Sequence, residues 1–222
     1  MSRVLGLRGR DRGGRGLLIT FEGIDGCGKS TQAALVRDAL VKKDVPCIVS
    51  REPGGTAIGE KIRDILLSPH HAEMCDACEL LLYMAARAQH VRQTIVTAME
   101  GGAVVLCDRF AEATFAYQGF GRGLPPDLLE KINSFATASL RPSFTFVFDI
   151  PVAAACERLR KTGKTADRLE GCGGEFYEKV RKGYLSLAQK YSKRIMVLNG
   201  QVPVEELSAI ISEKVLELYR QI

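Results

Sequence analysis

The sequence predicts an α/β fold, a parallel sheet covered by helices on both faces. Three observations predict it. The length of 222 residues, 46% hydrophobic and 26% charged, suits one α/β domain with a substantial core. Strand-like and helix-like segments alternate along the chain, the pattern that gives parallel sheets. The first strand runs directly into Gly23-Ile24-Asp25-Gly26-Cys27-Gly28-Lys29-Ser30, which fits G-x-x-x-x-G-K-[ST] at every fixed position. That motif narrows the expectation to a P-loop three-layer sandwich.

Residues 17–22 are a short apolar, β-prone run, the strand that should precede such a loop. The glycines remove Cβ atoms, so successive backbone N–H groups can turn inward around phosphates. Residues 32–43 read as a helix, whose N-terminus adds unpaired N–H groups and its positive dipole end. Lys29 is placed to reach the β- and γ-phosphates of a nucleotide, and the Ser30 hydroxyl to ligate Mg²⁺. Thr31 completes the cofactor-binding stretch from 23 to 31.

The second strand is 47–50, and Arg51-Glu-Pro-Gly-Gly-Thr56 follows it. An arginine where a strand ends suits bidentate capture of a phosphate, or is a solvated loop residue. The longest helical pattern spans 77–99. On it Tyr83 and Arg87 lie four apart and share a face, an arrangement that can stack a base and bond its edge or can simply pack. The third strand, 104–108, ends in Asp108-Arg109. The carboxylate can hold a metal-bound water and the arginine an acceptor phosphate; a structural ion pair is the alternative. After the fourth strand, 144–149, comes a basic run from Arg158 to Arg168, mobile cations between two helices that either close over phosphates or form a solvated charged loop; the phosphate loop favours the first. The fifth strand is 195–198. Val204, Leu207, Ile211, Val215 and Leu218 then mark an amphipathic C-terminal helix. In parallel sheets ligands bind beyond the carboxyl ends of the strands, and the segments at Gly23, Arg51 and Asp108 all begin there.

The formal charge is +5, but residues 1–16 carry five arginines against one aspartate, leaving the rest close to neutral. Charge therefore gives no reason to expect a nucleic-acid-binding body. The Gly/Arg-rich tail reads as disordered, and an organellar presequence, an over-extended start or an RNA-sticky arm all stay open for it. Residues 17–222 are expected to be the catalytic domain, with a lid at about 158–173. No apolar run approaches membrane-spanning length. Seven cysteines, an odd number, suit a reducing cytoplasm. Cys75 and Cys78 form a lone C-x-x-C near His70 and His71, a weak metal signal.

Six segments in order, FEGIDGCGKST (21–31), REPGGT (51–56), ELLLYMAARAQ (79–89), DRF…AYQG (108–119), FDIP (148–151) and DRLE (167–170), resemble the thymidylate kinase family of nucleoside monophosphate kinases. The resemblance covers essentially 17–222. It implies transfer of the ATP γ-phosphoryl to dTMP with Mg²⁺, a five-stranded parallel sheet and a homodimer. It implies that Lys29 and Ser30 serve ATP and the metal, and that Asp25 approaches the dTMP 3′-hydroxyl. Arg51 and Arg109 would hold the dTMP phosphate, Tyr83 would stack on thymine, and Arg87 would reach the thymine carbonyl edge. Tyr117 would pack on the deoxyribose, with Gln118 in the same pocket. Ala113 stands where many members have serine. Gly26 stands where some members carry an arginine, so the catalytic arginine is expected from the lid, at Arg160 or Arg168.

Overall fold

Five strands, Leu18–Glu22 (β1), Cys47–Arg51 (β2), Val104–Asp108 (β3), Phe144–Asp149 (β4) and Ile195–Asn199 (β5), form one sheet in the order β2-β3-β1-β4-β5. The computed structural model describes residues 16–163 and 167–222. Every strand pair is parallel. β1 is buried along its whole length, as a central strand covered on both faces must be, which is why Leu18, Ile19 and Phe21 are apolar; its buried Thr20 bonds to Thr145 and its buried Glu22 to the Phe110 N–H and the Tyr184 hydroxyl. β2, at an edge, alternates between half-buried and exposed. In register, Phe21 lies beside Asp108 and Asp108 beside Arg51, so the carboxyl ends of β1, β3 and β2 open at one rim.

The expected strand boundaries match to within a residue. The first helix, Lys29–Val41 (α1), starts earlier than the apolar pattern suggested. Gly28, in the left-handed region at φ 103°, turns the loop so that Lys29 and Ser30 form the first helical turn. Ala57–Leu67 (α2) is capped by Thr56, whose hydroxyl accepts the Gly59 N–H. The long pattern 77–99 becomes Asp76–His90 (α3), a π-helical stretch Val91–Ile95, and Val96–Glu100 (α4). Ala111–Thr114 (α5) leads into a second π-helical stretch, Phe115–Gly121. Pro126–Thr137 (α6), Val152–Lys161 (α7), Gly173–Lys190 (α8) and Val204–Tyr219 (α9) complete the layers. α1 packs with α9 on one face; α3 lies between α2 and α6 and packs with both.

The main core lies between β1, β4 and the helices. Phe21 stacks on Phe148 at a centroid distance of 6.1 Å and tilts against Phe146 at 6.0 Å. All three rings are fully buried, each contributing about 1.5–3 kcal/mol of transfer free energy. Two expectations need correction. The basic run is not wholly a loop: Arg158, Arg160 and Lys161 sit on the last turns of α7, because Val152, Ala155 and Leu159 keep helical spacing toward the body. Gly16, assigned to the tail, is buried and donates its N–H to the Met99 carbonyl. The rest of the expected tail, 1–15, and residues 164–166 of the expected lid lie outside the described residues.

Candidate active site

Two clefts open at the carboxyl rim. The larger, about 760 Å³, is lined by the loop from Asp25 to Gln32 together with Arg51, Arg63, Asp108 and Arg158. Lys29 is 6% exposed and folds back along the loop, its Nζ donating to the carbonyls of Gly23 (3.1 Å) and Ile24 (2.9 Å). The Ser30 hydroxyl donates to Asp108 Oδ2. The loop after β1 and the end of β3 thus bring the two expected metal residues into contact.

The second cleft is narrower, about 60 Å³, and lies behind the first; Pro53, Tyr83, Arg87, Ala113, Tyr117 and Gln118 line it. Asp25, Glu52, Arg63 and Arg109 line both clefts. Arg109, at φ 72°, turns back across the sheet end. Its Nη1 donates to the Gly23 carbonyl and the Tyr184 hydroxyl, its Nη2 to Asp25 Oδ1 and the Tyr117 hydroxyl. Asp25 Oδ2 also accepts from the hydroxyls of Tyr117 (2.9 Å) and Tyr177 (3.1 Å). Burial pushes the Asp25 carboxyl up, but the charges of Arg109 and Lys29 outweigh it and hold the group well below the usual carboxylate range. Asp25 is therefore an anion at the junction of the clefts.

Arg87 has a 2% exposed side chain, although its helix α3 also presents it to the narrow cleft. Its Nε donates to Glu52 Oε2 (2.6 Å), Nη1 to Thr114 Oγ1 and Asn133 Oδ1 (both 2.6 Å), and Nη2 to the Phe110 carbonyl (2.8 Å). Four of the five N–H groups of a guanidinium are thereby used, leaving one on Nη2. Glu52 is depressed in pKa: burial raises it, and Arg87 with His90 more than offsets that. Gln118 Nε2 donates to Glu79 (2.9 Å), which fixes the amide at the cleft wall.

The sequence-derived site residues thus gather at these two clefts, with differences at the lid. Arg168 is not at the phosphate loop. Its Nη2 donates to Glu79 Oε2 (2.6 Å) and its Nε to the Leu66 carbonyl (2.9 Å), and its side chain is 7% exposed. Glu79 also takes Arg122 (3.0 Å), so one carboxylate ties Arg168 and Arg122 to α3. Burial raises the Glu79 carboxyl, and its bonds from Arg122, Gln118 and Arg168 bring it below the ordinary range. Arg160 is exposed on α7, and Arg158 donates to the Gly200 carbonyl at the edge of the larger cleft (2.9 Å). Arg51 lines only the larger cleft, exposed and paired with Glu60 (2.9 Å). Cys75 caps α3 and Cys78 lies exposed on it; both are free thiols.

Sequence reasoning missed Arg63, Glu52, Glu79 and Tyr177. Arg63 is the informative omission: it donates to the Pro53 carbonyl (2.9 Å) and lines both clefts with Arg51 and Arg109 near enough to lower its pKa, though burial does so most. Its signal was the three-turn helix after Arg51, whose polar face was not traced back to the site.

Comparison with known proteins gives a consistent family. A family model for thymidylate kinase matches residues 21–211. A thymidylate kinase of Pelotomaculum thermopropionicum is 46% identical over 84% of this chain and 86% of its own. One of Symbiobacterium thermophilum is 45% identical over 91% and 94% respectively. The crystal structure of thymidylate kinase from Ehrlichia chaffeensis superposes with a TM-score of 0.73 at 29% identity, covering 91% of this chain and 99% of that one.

Proposed function

The chain belongs to the thymidylate kinase family, and on that premise we propose how its residues carry the transfer of the ATP γ-phosphoryl to dTMP, with dTDP and ADP as products. One observation carries the arrangement: Asp25, Glu52, Arg63 and Arg109 form the wall common to both clefts. A donor phosphate in the larger cleft and an acceptor phosphate in the narrower one would meet there, within reach of the same cations.

In this reading the backbone N–H groups of 23–31 and Lys29 hold the ATP phosphates. Arg51, Arg63 and Arg109 hold the dTMP phosphate, and Asp25 keeps Arg109 oriented while facing the deoxyribose 3′-hydroxyl. Tyr83 stacks on thymine, Tyr117 packs on the sugar with Gln118 beside it, and the remaining Arg87 N–H meets a base carbonyl. The nucleophile is a phosphate oxygen of dTMP; it bonds to the γ-phosphorus as the bond to ADP breaks. The protein's task is positioning and charge neutralisation.

Ser30 and Asp108 offer hard oxygen donors, which fit Mg²⁺. Among the described residues no group of three His, Cys, Asp or Glu side chains could hold a metal, so phosphate oxygens and water would complete its shell. Bound there, Mg²⁺ would neutralise charge on the β- and γ-phosphates. Arg160 is the preferred lid arginine, since moving Arg168 to the phosphates would break its bonds to Glu79 and Leu66.

We also propose a homodimer through α2, α3 and α6. These adjoining helices expose Ile58, Ile65, Leu81, Leu128 and the 88% exposed Phe135, and Ala85 and Ala88 continue the stripe of Leu81 along α3. The kinase domain would span 17–222. No helix among the described residues is long and apolar enough to cross a membrane, and seven free cysteines suit the cytoplasm. No nucleic-acid partner is invoked. Tyr83→Ala tests the acceptor assignment: KM for dTMP should rise about tenfold, KM for ATP less than twofold, and equal changes would refute it.

A further inference from the structure

Behind the narrow cleft, two polar side chains that line neither cleft, His90 and Ser50, back onto Glu52 and Arg87. His90 ends α3, where the helix widens into its π-helical stretch, a feature frequent at functional sites. Its side chain is 0% exposed. Nδ1 lies 3.0 Å from Glu52 Oε1, and Nε2 lies 2.6 Å from the Ser50 hydroxyl. The other Glu52 oxygen accepts from Arg87 Nε at 2.6 Å. Glu52 is held in its ionised form and can only accept, so Nδ1 is the ring nitrogen that must donate to it. Ser50 occupies the opposite nitrogen and fixes the ring's tilt.

The backbone closes around this ring. Gly55 sits at φ 76°, and a Cβ there would come within 2.6 Å of His90 Cδ2 and 2.7 Å of Ser50 Oγ. The imidazole is therefore held by a bond at each nitrogen and by the Gly55 backbone against its edge.

We infer that His90 is a positioning residue for the acceptor site: by pinning Glu52 Oε1 it keeps Oε2 on Arg87 Nε and so turns the one remaining Arg87 N–H toward the base. The inference rests on the reading of Arg87 as the base-facing group. Without His90, the Glu52 carboxylate can rotate off Nε, leaving the Arg87 fork held only by Thr114, Asn133 and the Phe110 carbonyl and free to tilt about them. The loss should appear in recognition of dTMP, not of ATP, because none of these groups touches the phosphate loop.

Two polar substitutions separate the role from mere packing. Asparagine places an amide N–H near the position of Nδ1 and can still serve Glu52; glutamine places one near Nε2 and serves Ser50 instead. His90→Asn should keep KM for dTMP within about threefold of the parent, whereas His90→Gln should raise it about tenfold, the lower range for losing one hydrogen bond to a charged group. KM for ATP should change less than about twofold in both. Equal dTMP KM values for the two variants, or parallel rises for both substrates, overturn the positioning role. Arg87→Lys keeps a charge on Glu52 but removes the fork. If it leaves KM for dTMP unchanged, the base-facing reading of Arg87 fails and takes this inference with it. If it raises that KM while the two His90 variants behave alike, only the role of His90 is refuted.

Discussion

Replacing Glu22 by glutamine should flatten the pH dependence of stability in the neutral range. Glu22 ends β1 and is 0% exposed. Oε1 accepts the Phe110 N–H at 2.7 Å and Oε2 the Tyr184 hydroxyl at 2.9 Å. Burial, reinforced by the nearby Glu112 charge, pushes its pKa up to about 8 against the opposing pull of Arg109. In the unfolded chain it returns to about 4.3. Between those values the native state holds a proton that the unfolded chain has released. Stability from this group is thus complete below about pH 4 and is lost as pH rises toward 8, at up to about 1.4 kcal/mol per pH unit. From pH 5.5 to 7.5 the parent should lose about 2–3 kcal/mol through Glu22. Glutamine keeps an acceptor for the Phe110 N–H and a donor that the Tyr184 hydroxyl can turn to accept, without a proton to lose. Asp25, Glu52 and Glu79 are shifted the other way, so their contributions fade only as pH falls through the acid range. Urea unfolding at pH 5.5, 6.5 and 7.5 reads the difference: the two proteins should be close at pH 5.5, and the variant clearly more stable than the parent at 7.5. Parallel stability curves with equal m-values would refute the assignment of a buried, protonated Glu22.

Arg160→Ala should lower kcat about a hundredfold with little change in KM for ATP, because ground-state phosphate binding belongs to Lys29 and the loop amides; near-parental kcat in steady-state assays would move the transition-state cation elsewhere, with Arg158 next. Leu81→Glu puts a charge into the exposed stripe of α3 and should shift the mass in light scattering from dimer to monomer; an unchanged mass would place the contact on another face.

Contiguous features were legible in the sequence. The phosphate loop is a single motif flanked by an apolar strand and a helix, and the strands are short runs whose burial dictates their composition. Asp25, Lys29, Arg109 and Tyr117 were legible through that motif and the family's ordered segments. What escaped was set by pairings between distant elements. Arg168 looked like a free lid cation because nothing local announces Glu79, 89 residues away. Arg63 was hidden on an ordinary amphipathic helix, and Glu52 beside Pro53 read as part of a turn although it anchors Arg87 from another layer. The π-helical stretches at 91–95 and 115–121 were not anticipated: the first lies inside the expected helix 77–99 and the second in a segment given no helix.

The central claim is that the two clefts select dTMP and pass it the ATP γ-phosphoryl at the wall of Asp25 and Arg109. Its most direct measurement is ADP release with ATP, Mg²⁺ and a panel of dTMP, dUMP, AMP and CMP. dTMP should give the highest kcat/KM, dUMP should fall below it by about 10–200-fold for want of one methyl group, and AMP and CMP should be nearly inert. A faster reaction with AMP or CMP than with dTMP would contradict it.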